Sequence, residues 1–185
     1  MARLDYISIV SLDGYVADAE GNFDWGAPDA EVHGFINALQ RDYGTLLYGR
    51  RMYEVMVFWE TEGDGPDASE VEEEYARIWR SQDKVVYSRT LSEVSSAATR
   101  LEREFDPDSV RQMKAEAGKP LAVGGAELAG QALREGLVDQ VHLFVSPVTV
   151  GGGKRCLPAD LRLRLQLLDT RPFDSGVVYL RYRVA

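Results

Sequence analysis

The chain has 185 residues, 45% of them hydrophobic, and a formal net charge of −9. This length is near the ~150 residues typical of one domain, so we expect residues 1–185 to form a single domain. The negative net charge argues against a nucleic-acid partner, because the phosphate backbone of a nucleic acid binds to a basic protein face. No apolar segment approaches the ~20 residues of a membrane helix, no apolar leader precedes the first strand, and the single Cys156 cannot form an internal disulfide, so we expect a cytoplasmic protein without a membrane partner.

The first predicted elements are a strand, a loop and a helix. Residues Leu4–Val10 alternate as a strand does, and Asp13–Trp25 is a polar, glycine-bearing loop of the kind that closes over a ligand. A helix is predicted from about Asp29 to Asp42. Its apolar residues recur at the spacing of one helix face, namely Val32, Phe35, Ile36 and Leu39.

Two strand ends in the first half of the chain carry groups that bind anions. The apolar run Thr45–Tyr48 predicts a buried strand that ends at Gly49-Arg50-Arg51, before a helix over Met52–Trp59. A second apolar strand, in Lys84–Thr90, ends at Ser88-Arg89-Thr90. An arginine holds a phosphate through two parallel, charge-assisted hydrogen bonds. The alternative for each arginine is a solvated or salt-bridged surface position.

The segment Leu121–Leu133 is the most informative part of the sequence. An apolar strand runs into Gly124 and Gly125, and a helix follows over Ala126–Arg134. Glycine lets a ligand approach the backbone closely, and the start of a helix offers unpaired N–H groups to an anion. The alternative is a packing turn, because the full GxGxxG spacing is absent.

The remaining elements complete the fold prediction. Glu60–Glu74 holds eight acidic residues and no basic one, which predicts a solvated loop leading into an exposed helix, and another helix starts at Asp106-Pro107 and stops at Gly118. A long apolar strand is predicted over Val138–Val150. Leu163–Leu168 and Val177–Val184 predict two more strands, which form an antiparallel edge on a mostly parallel sheet.

This alternation of strands and helices predicts an α/β fold, a three-layer α/β/α sandwich. In such a sheet, ligands bind outside the carboxyl ends of the strands. Three strand ends with anion-binding groups therefore predict one extended, multiply phosphorylated ligand.

The ordered motifs resemble those of the dihydrofolate reductase-like superfamily. Leu47–Glu54 is similar to the strand, Gly-Arg pair and helix that hold the NADPH phosphates in that superfamily. Val85–Thr90 is similar to the strand whose end holds the adenosine 2′-phosphate. Ala122–Leu128 is similar to the Gly-Gly turn beside the pyrophosphate and nicotinamide. Ile9–Ala17 and Val138–Lys154 resemble one branch in particular. That branch contains the reductase domain of the riboflavin-biosynthesis deaminase-reductase and its stand-alone relatives.

The resemblance spans nearly the whole chain and implies a dihydrofolate-reductase-like fold with NADPH as cofactor. It implies hydride transfer to a C=N or C=O bond of a small heterocyclic or ribosylaminopyrimidine-type substrate. The residues that it implies for cofactor binding are Val16, Ala17, Gly49, Arg50, Arg51, Met52, Ser88, Arg89, Thr90, Val123, Gly124, Gly125, Ala126, Glu127 and Leu128.

The proton donor is expected at the start of the first helix. In dihydrofolate reductases the corresponding loop ends in Trp, two residues and Pro, with the substrate carboxylate two residues beyond, and Trp25-Gly-Ala-Pro28 matches this pattern. The next step lands on Ala30, so the carboxylate is displaced. Glu31 is the better candidate, because Phe35 lies four residues on and repeats the spacing between carboxylate and ring-stacking aromatic.

Further residues are candidates for catalysis or substrate binding. Asp13 is a second predicted catalytic carboxylate, and Trp25, Asp29 and Phe35 are predicted substrate contacts. The alternative for Asp29 and Glu31 is that they complement the helix dipole, with Asp29 as the cap.

Lys154 is predicted to meet a substrate phosphate. Cys156 lacks an identifiable base, and His33 and His142 lack partners at metal-ligand spacing, so no metal site is predicted.

Two other functions stay open: a dihydrofolate reductase proper, and a dinucleotide-binding protein without turnover. The loop and the Glu31 helix favour catalysis, whereas the displaced carboxylate favours a pure binder. The H-x-E and P-C-x-x-C zinc ligands of a deaminase half are absent, so the chain need not act in riboflavin synthesis. The apolar Val138–Val150 strand, or its neighbours, also predicts a homodimer.

Overall fold

The computed structural model describes residues 1–185 as ten strands and six α-helices. The strands are β1 (Leu4–Ser11), β2 (Tyr15–Ala17), β3 (Thr45–Gly49), β4 (Asp83–Tyr87), β5 (Thr99–Glu102), β6 (Leu121–Gly124), β7 (Gln140–Ser146), β8 (Lys154–Arg155), β9 (Leu165–Pro172) and β10 (Val178–Val184). The helices are α1 (Ala30–Gln40), α2 (Arg50–Met56), α3 (Phe58–Thr61), α4 (Glu70–Ser81), α5 (Pro107–Glu116) and α6 (Ala126–Arg134). None of these helices combines the length and the apolar character that crossing a membrane requires.

Eight strands form one sheet in the order β5-β4-β3-β6-β1-β7-β10-β9. The pairs from β5 to β7 are parallel, and β10 joins β7 and β9 in antiparallel pairs. The predicted mostly parallel sheet with an antiparallel C-terminal edge is therefore confirmed. The carboxyl ends of β1, β3, β4 and β6 lie side by side, which brings the polar residues after these strands to one edge of the sheet.

Helices cover both faces of the sheet, as the three-layer prediction requires. On one face, Leu47 and Val85 pack with residues of α5 and α6 in a cluster of 17 buried side chains. On the other face, Leu46, Tyr48 and Val86 pack with α2 and α4. Neighbouring residues of one strand point to opposite faces, so the continuous apolar runs of β3 and β4 fill both cores.

Most predicted elements occur where the sequence placed them. The β6 strand and the α6 helix match the prediction, and α1 begins directly after Asp29, whose side chain accepts a hydrogen bond of 2.8 Å from the Val32 N–H. The predicted helix Met52–Trp59 starts earlier, at Arg50, and is divided at Val57 into α2 and α3. The acidic segment leads into α4, in which Tyr75 and Trp79 are buried as expected.

The prediction of a long strand over Val138–Val150 is wrong. The strand β7 ends at Ser146, before Pro147, which has no N–H to give to a ladder. Both edges of β7 are occupied, by β1 and β10, so two copies of the chain cannot pair through it. The free edges of the sheet belong to β5 and β9. The neighbours of β7, namely β1 and β10, also have both edges paired, so the predicted pairing through β7 or its neighbours does not fit the sheet, and the homodimer itself stays a prediction.

A two-stranded sheet, which the sequence analysis missed, joins the loop after β1 to the segment after β7. The strands β2 and β8 pair through Tyr15 with Arg155 and Ala17 with Lys154. Gly153 makes this approach possible, because its φ is +123° and a Cβ there would lie 2.2 Å from the Ala17 carbonyl oxygen. The three-glycine segment therefore turns the chain against this loop.

The indole of Trp79 joins the core to the Tyr48 side chain of β3. It is fully buried, and its Nε1 donates a 3.2 Å hydrogen bond to the Tyr48 hydroxyl. We expect Trp79→Phe to lower the free energy of unfolding by about 1–3 kcal/mol, because it leaves a cavity and removes this bond. Trp25→Phe is the control, since the Trp25 Nε1 donates to the Asn22 carbonyl in an exposed loop. Chemical denaturation measures both, and equal losses would contradict the role given to Trp79.

Candidate active site

Two adjoining cavities lie at the carboxyl ends of the central strands. The larger one, here called the chamber, has a volume of about 1110 Å³, and the smaller one, called the groove, has about 560 Å³. They share a set of lining residues, here called the seam: Arg51, Met52, Gly124, Gly125, Glu127 and Lys154. One elongated ligand can therefore extend from the groove into the chamber.

The groove brings the three predicted strand ends together. Gly49 ends β3 and Arg50 follows it, Ser88 and Arg89 follow β4, and Leu128 lies on the first turns of α6 after β6. All of these residues line the groove. Five cationic side chains line it, against two carboxylates. The cations are Arg50, Arg51, Arg89, Arg103 and Lys154. A chain of net charge −9 thus concentrates positive charge at one place, as an anionic ligand requires.

Two of the three arginines singled out from the sequence, Arg50 and Arg89, also form ion pairs. Arg50 donates to Glu54 at 2.7 Å and to the Thr90 hydroxyl at 2.9 Å, and Arg89 donates to Glu104 at 2.9 Å. Thr90 itself does not line the groove. Exposed ion pairs of this kind contribute about 0–1 kcal/mol to stability. They therefore orient the arginines, and a phosphate that binds the guanidinium groups more strongly can replace the carboxylates.

The glycine pair at the end of β6 serves both packing and access. A Cβ on Gly124 would lie 2.8 Å from Cε1 of Tyr48, so the ring excludes any side chain there. Gly125 has a φ of +88°, and a Cβ there would lie 3.1 Å from Cβ of Met52. Gly124 is therefore needed for packing, and Gly125 lets the chain enter α6 with its first N–H groups at the seam, while anion binding at this turn stays a prediction.

Apolar side chains from four elements form the chamber wall. Ile7 and Ile9 come from β1, Leu46 from β3, and Phe144 from β7, and Met52, Val55 and Met56 come from α2. One side is covered by Val16 and Ala17 of β2 and by the loop between β2 and α1, which includes Trp25. Val123 and Ala126 line the chamber beside the seam.

The first helix presents a different face to the chamber from the one that was expected. Glu31 lies outside both cavities, accepts a 3.1 Å hydrogen bond from Arg171 and lies 3.4 Å from the Asp174 N–H. Phe35 packs edge-on against Phe173 and Tyr179. The predicted spacing of Glu31 and Phe35 on one face is correct, but that face is turned toward β9 and β10.

The residues of α1 that line the chamber are Ile36 and Gln40. They lie four residues apart, five positions further along the helix than Glu31 and Phe35. Asp29 caps α1 and lies outside both cavities, and its hydrogen bond from the Val32 N–H is the main cause that lowers its pKa. The structure therefore gives no support to Glu31 as proton donor or to Asp29 and Phe35 as substrate contacts.

Asp13 holds two chain segments together and does not line either cavity. Its carboxylate accepts hydrogen bonds from the Ser11 hydroxyl at 2.7 Å and from the Gly151 N–H at 2.7 Å. The Val150 N–H donates to it as well, at 3.1 Å. The bond from Ser11 is the largest cause that lowers the pKa of Asp13. This carboxylate fixes the segment before β8 against the end of β1.

Lys154 and Glu127 form an ion pair at the seam. The Lys154 ammonium donates to Glu127 at 2.7 Å, which is the main cause that lowers the pKa of Glu127, and Arg51 adds to the shift. Lys154 is thus placed where cofactor and substrate would meet, and contact with a substrate phosphate stays a prediction.

Comparison with known proteins adds to this geometry. The sequence profile described as the RibD C-terminal domain matches residues 4–179. The chain belongs to this family. It is similar to the uncharacterized protein YyaP of Bacillus subtilis strain 168, with 32% identity over 175 residues that cover 94% of this chain and 90% of YyaP.

Two solved structures have the same fold. A candidate riboflavin biosynthesis protein from Shewanella sp. PV-4 matches with a TM-score of 0.76 at 22% identity, over 100% of this chain and 99% of the other. The Thermotoga maritima diaminohydroxyphosphoribosylaminopyrimidine deaminase/5-amino-6-(5-phosphoribosylamino)uracil reductase matches with a TM-score of 0.69 at 12% identity. All of this chain matches, but only 57% of that longer protein.

Several members of the site were not found from the sequence. Arg103 lines the groove and donates to the carbonyl oxygens of Ser88 and Leu91, so it shapes the end of β4. It follows β5, a strand too short to show in the pattern. Gln40 and Tyr75 line the chamber without belonging to any recognisable motif, and Tyr48 lines it as a member of the Leu47–Glu54 motif that was not singled out.

Cys156, a weak candidate from the sequence, is buried away from the cavities. The Tyr6 hydroxyl lies 3.4 Å from its Sγ, and burial raises the pKa of the thiol, so it stays protonated and unreactive at neutral pH.

The lowered pKa of Asp13 gives a prediction for acid stability. A carboxyl group whose pKa is lower in the folded state stabilises the fold above its unfolded pKa, and this contribution is lost as the pH falls through the folded pKa. We expect Asp13→Asn to lower the melting temperature at pH 7, and the difference from wild type to shrink below about pH 4. Calorimetry across this range tests it. A difference that is constant with pH would contradict it.

Proposed function

We propose that the protein is an NADPH-dependent reductase that transfers a hydride to a C=N or C=O bond of a small heterocyclic substrate. The observation that carries the proposal is the joining of a cationic groove to an apolar chamber at a seam of glycines. The groove suits the phosphates of a dinucleotide, and the chamber suits a ring that accepts a hydride away from water. Membership of the RibD C-terminal domain family supports a reductase.

The residues present fit this cofactor. The close approach that Gly124 and Gly125 allow, together with the start of α6, would hold the pyrophosphate. Arg89 and Arg103, at the other end of the groove, would hold the 2′-phosphate, and Arg50 the bridging phosphates. The seam would then hold the nicotinamide beside Met52. When bound, NADPH supplies the hydride, and the protein orients both partners and excludes water.

The chamber itself holds few groups that exchange protons. Its carboxylates belong to the loop Asp18–Asp24 and to Glu127, and its tyrosines Tyr48 and Tyr75 have pKa values that burial raises far above neutral. These hydroxyls therefore donate hydrogen bonds and keep their protons. We propose that water at the chamber mouth supplies the proton.

A dihydrofolate reductase proper is the weaker alternative. Its substrate carboxylate would have to enter the chamber from α1, and the two α1 residues that line the chamber are Ile36 and Gln40. The second alternative, a dinucleotide-binding protein without turnover, would need no substrate cavity, and it therefore does not account for the chamber of about 1110 Å³. Incubation with NADPH and a panel of pyrimidine, pteridine and folate acceptors, with nicotinamide absorbance as readout, separates the three.

Cofactor preference tests the arginines of the groove. We expect Arg89→Ala to weaken NADPH binding about tenfold to a hundredfold, the equivalent of one charge-assisted hydrogen bond, and to leave NADH nearly unchanged. Glu104→Gln should strengthen NADPH binding, because it releases Arg89 from its ion pair. Arg77→Ala, paired with Glu73 on α4, is the control. Calorimetric titration gives the dissociation constants, and parallel losses for both cofactors on Arg89→Ala would place 2′-phosphate recognition elsewhere.

The glycine turn provides a second test. Gly125 and Gly136 flank α6 and both have positive φ, +88° and +63°, so alanine at either position should cost about 1–2 kcal/mol of stability. Nothing lies within 4 Å of a Cβ on Gly136, which does not line the groove. We expect only Gly125→Ala to weaken NADPH binding as well. Equal NADPH affinity in the two variants would reduce the turn to a packing feature.

A further inference from the structure

A buried amide without a partner lies at the chamber wall. Gln40 is 8% exposed, ends α1 and lines the chamber, and its Oε1 has no hydrogen-bond partner. Its backbone carbonyl is held by Gln82, whose Nε2 donates to it at 2.8 Å, so the residue is fixed in place. A buried amide oxygen without a partner is costly, which is why such groups are rare unless a ligand or water completes them.

The side chains that line the chamber together with Gln40 suit a flat ring. Tyr48, Tyr75 and Phe144 contribute aromatic walls, and Met52 and Met56 contribute thioethers that pack well against rings. A carboxamide presents an acceptor and a donor side by side. The matching group on a ring is a lactam edge, in which an N–H adjoins a C=O.

The charges of the chamber disfavour a phosphate. The loop residues Asp18, Glu20 and Asp24 place three carboxylates along it. The cations that line it are Arg51 and Lys154, both of the seam, and Lys154 is paired with Glu127 at 2.7 Å. A phosphate on a ligand in the chamber would therefore meet mainly negative charge, whereas the cofactor phosphates would meet the cations of the groove.

We propose that the chamber binds an uncharged, unphosphorylated planar heterocycle whose lactam edge pairs with the side-chain amide of Gln40. The inference rests on the proposed function only for the identification of the chamber as the substrate site. It departs from the phosphorylated ribosylaminopyrimidine that the resemblance implied.

Riboflavin, 3-methylriboflavin and FMN are suitable probes, because the isoalloxazine ring carries a lactam edge. Methylation at N3 blocks that edge, and FMN adds only a phosphate. Flavin fluorescence, read with saturating NADP⁺ present, gives their dissociation constants. We expect riboflavin to bind about tenfold more tightly than 3-methylriboflavin, and more tightly than FMN at low salt. The double variant Glu20→Gln/Asp24→Asn should narrow the difference between riboflavin and FMN.

Gln40→Met is the decisive variant, since it keeps the volume and removes both hydrogen-bonding atoms. It should abolish the preference for riboflavin over 3-methylriboflavin and leave the melting temperature unchanged or raised, because no protein partner is lost. Gln82→Met is the matched control. Its amide donates to the carbonyls of Gln40 and Tyr43, so it should destabilise the fold and keep the preference.

Three results would overturn the inference: FMN binding as tightly as riboflavin, Gln40→Met keeping the preference, or no flavin binding at all. NADP⁺ affinity, measured separately by calorimetry, tests the proposed function. If NADP⁺ does not bind but the flavin preferences are observed, the proposed reductase function is refuted. The proposal that the chamber binds a planar heterocycle through Gln40 is then still supported.

Discussion

The contact between Tyr48 and Gly124 is the constraint on which the rest of the site depends. The two residues are register partners on the adjacent parallel strands β3 and β6, and the ring covers the place that a side chain at Gly124 would take. The same ring lines the chamber, and its hydroxyl accepts a hydrogen bond from Trp79 in the core. One aromatic side chain thus links the buried face of α4, the chamber wall and the glycine turn. A change at any of the three is felt at the seam.

The fold could be predicted from the sequence wherever local signals decide it. The strand β6 and the helix α6 were found to the residue, because apolar runs, glycines and helix formers act within a few positions. The strands β2, β5 and β8 were missed, since each has two to four residues and exists only through pairing with a distant segment. The length of β7 was overestimated because Val148 and Val150 continue its apolar pattern after the strand has ended.

The groove was predictable for the same reason, and the chamber was not. Ten of the fifteen residues expected at the cofactor line the groove, four line only the chamber, and Thr90 lines neither cavity. They follow strand ends, so their position along the chain fixes their position in space. The face that α1 turns to the chamber depends instead on how Phe35 packs against Phe173 and Tyr179 on the far side of the sheet. No spacing within α1 reveals that choice, and nothing local marks Gln40.

The pairing of β2 with β8 connects the entrance of the chamber to the charged residues of the seam. The strand β2 leads directly into the loop that borders the chamber, and β8 begins with Lys154 of the seam. The Asp13 carboxylate clamps the segment just before β8 to the same region. The loop and the seam lysine are therefore mechanically coupled, and a movement that widens the entrance also pulls on the Lys154–Glu127 ion pair. Access to the chamber and the charge at the seam would therefore change together.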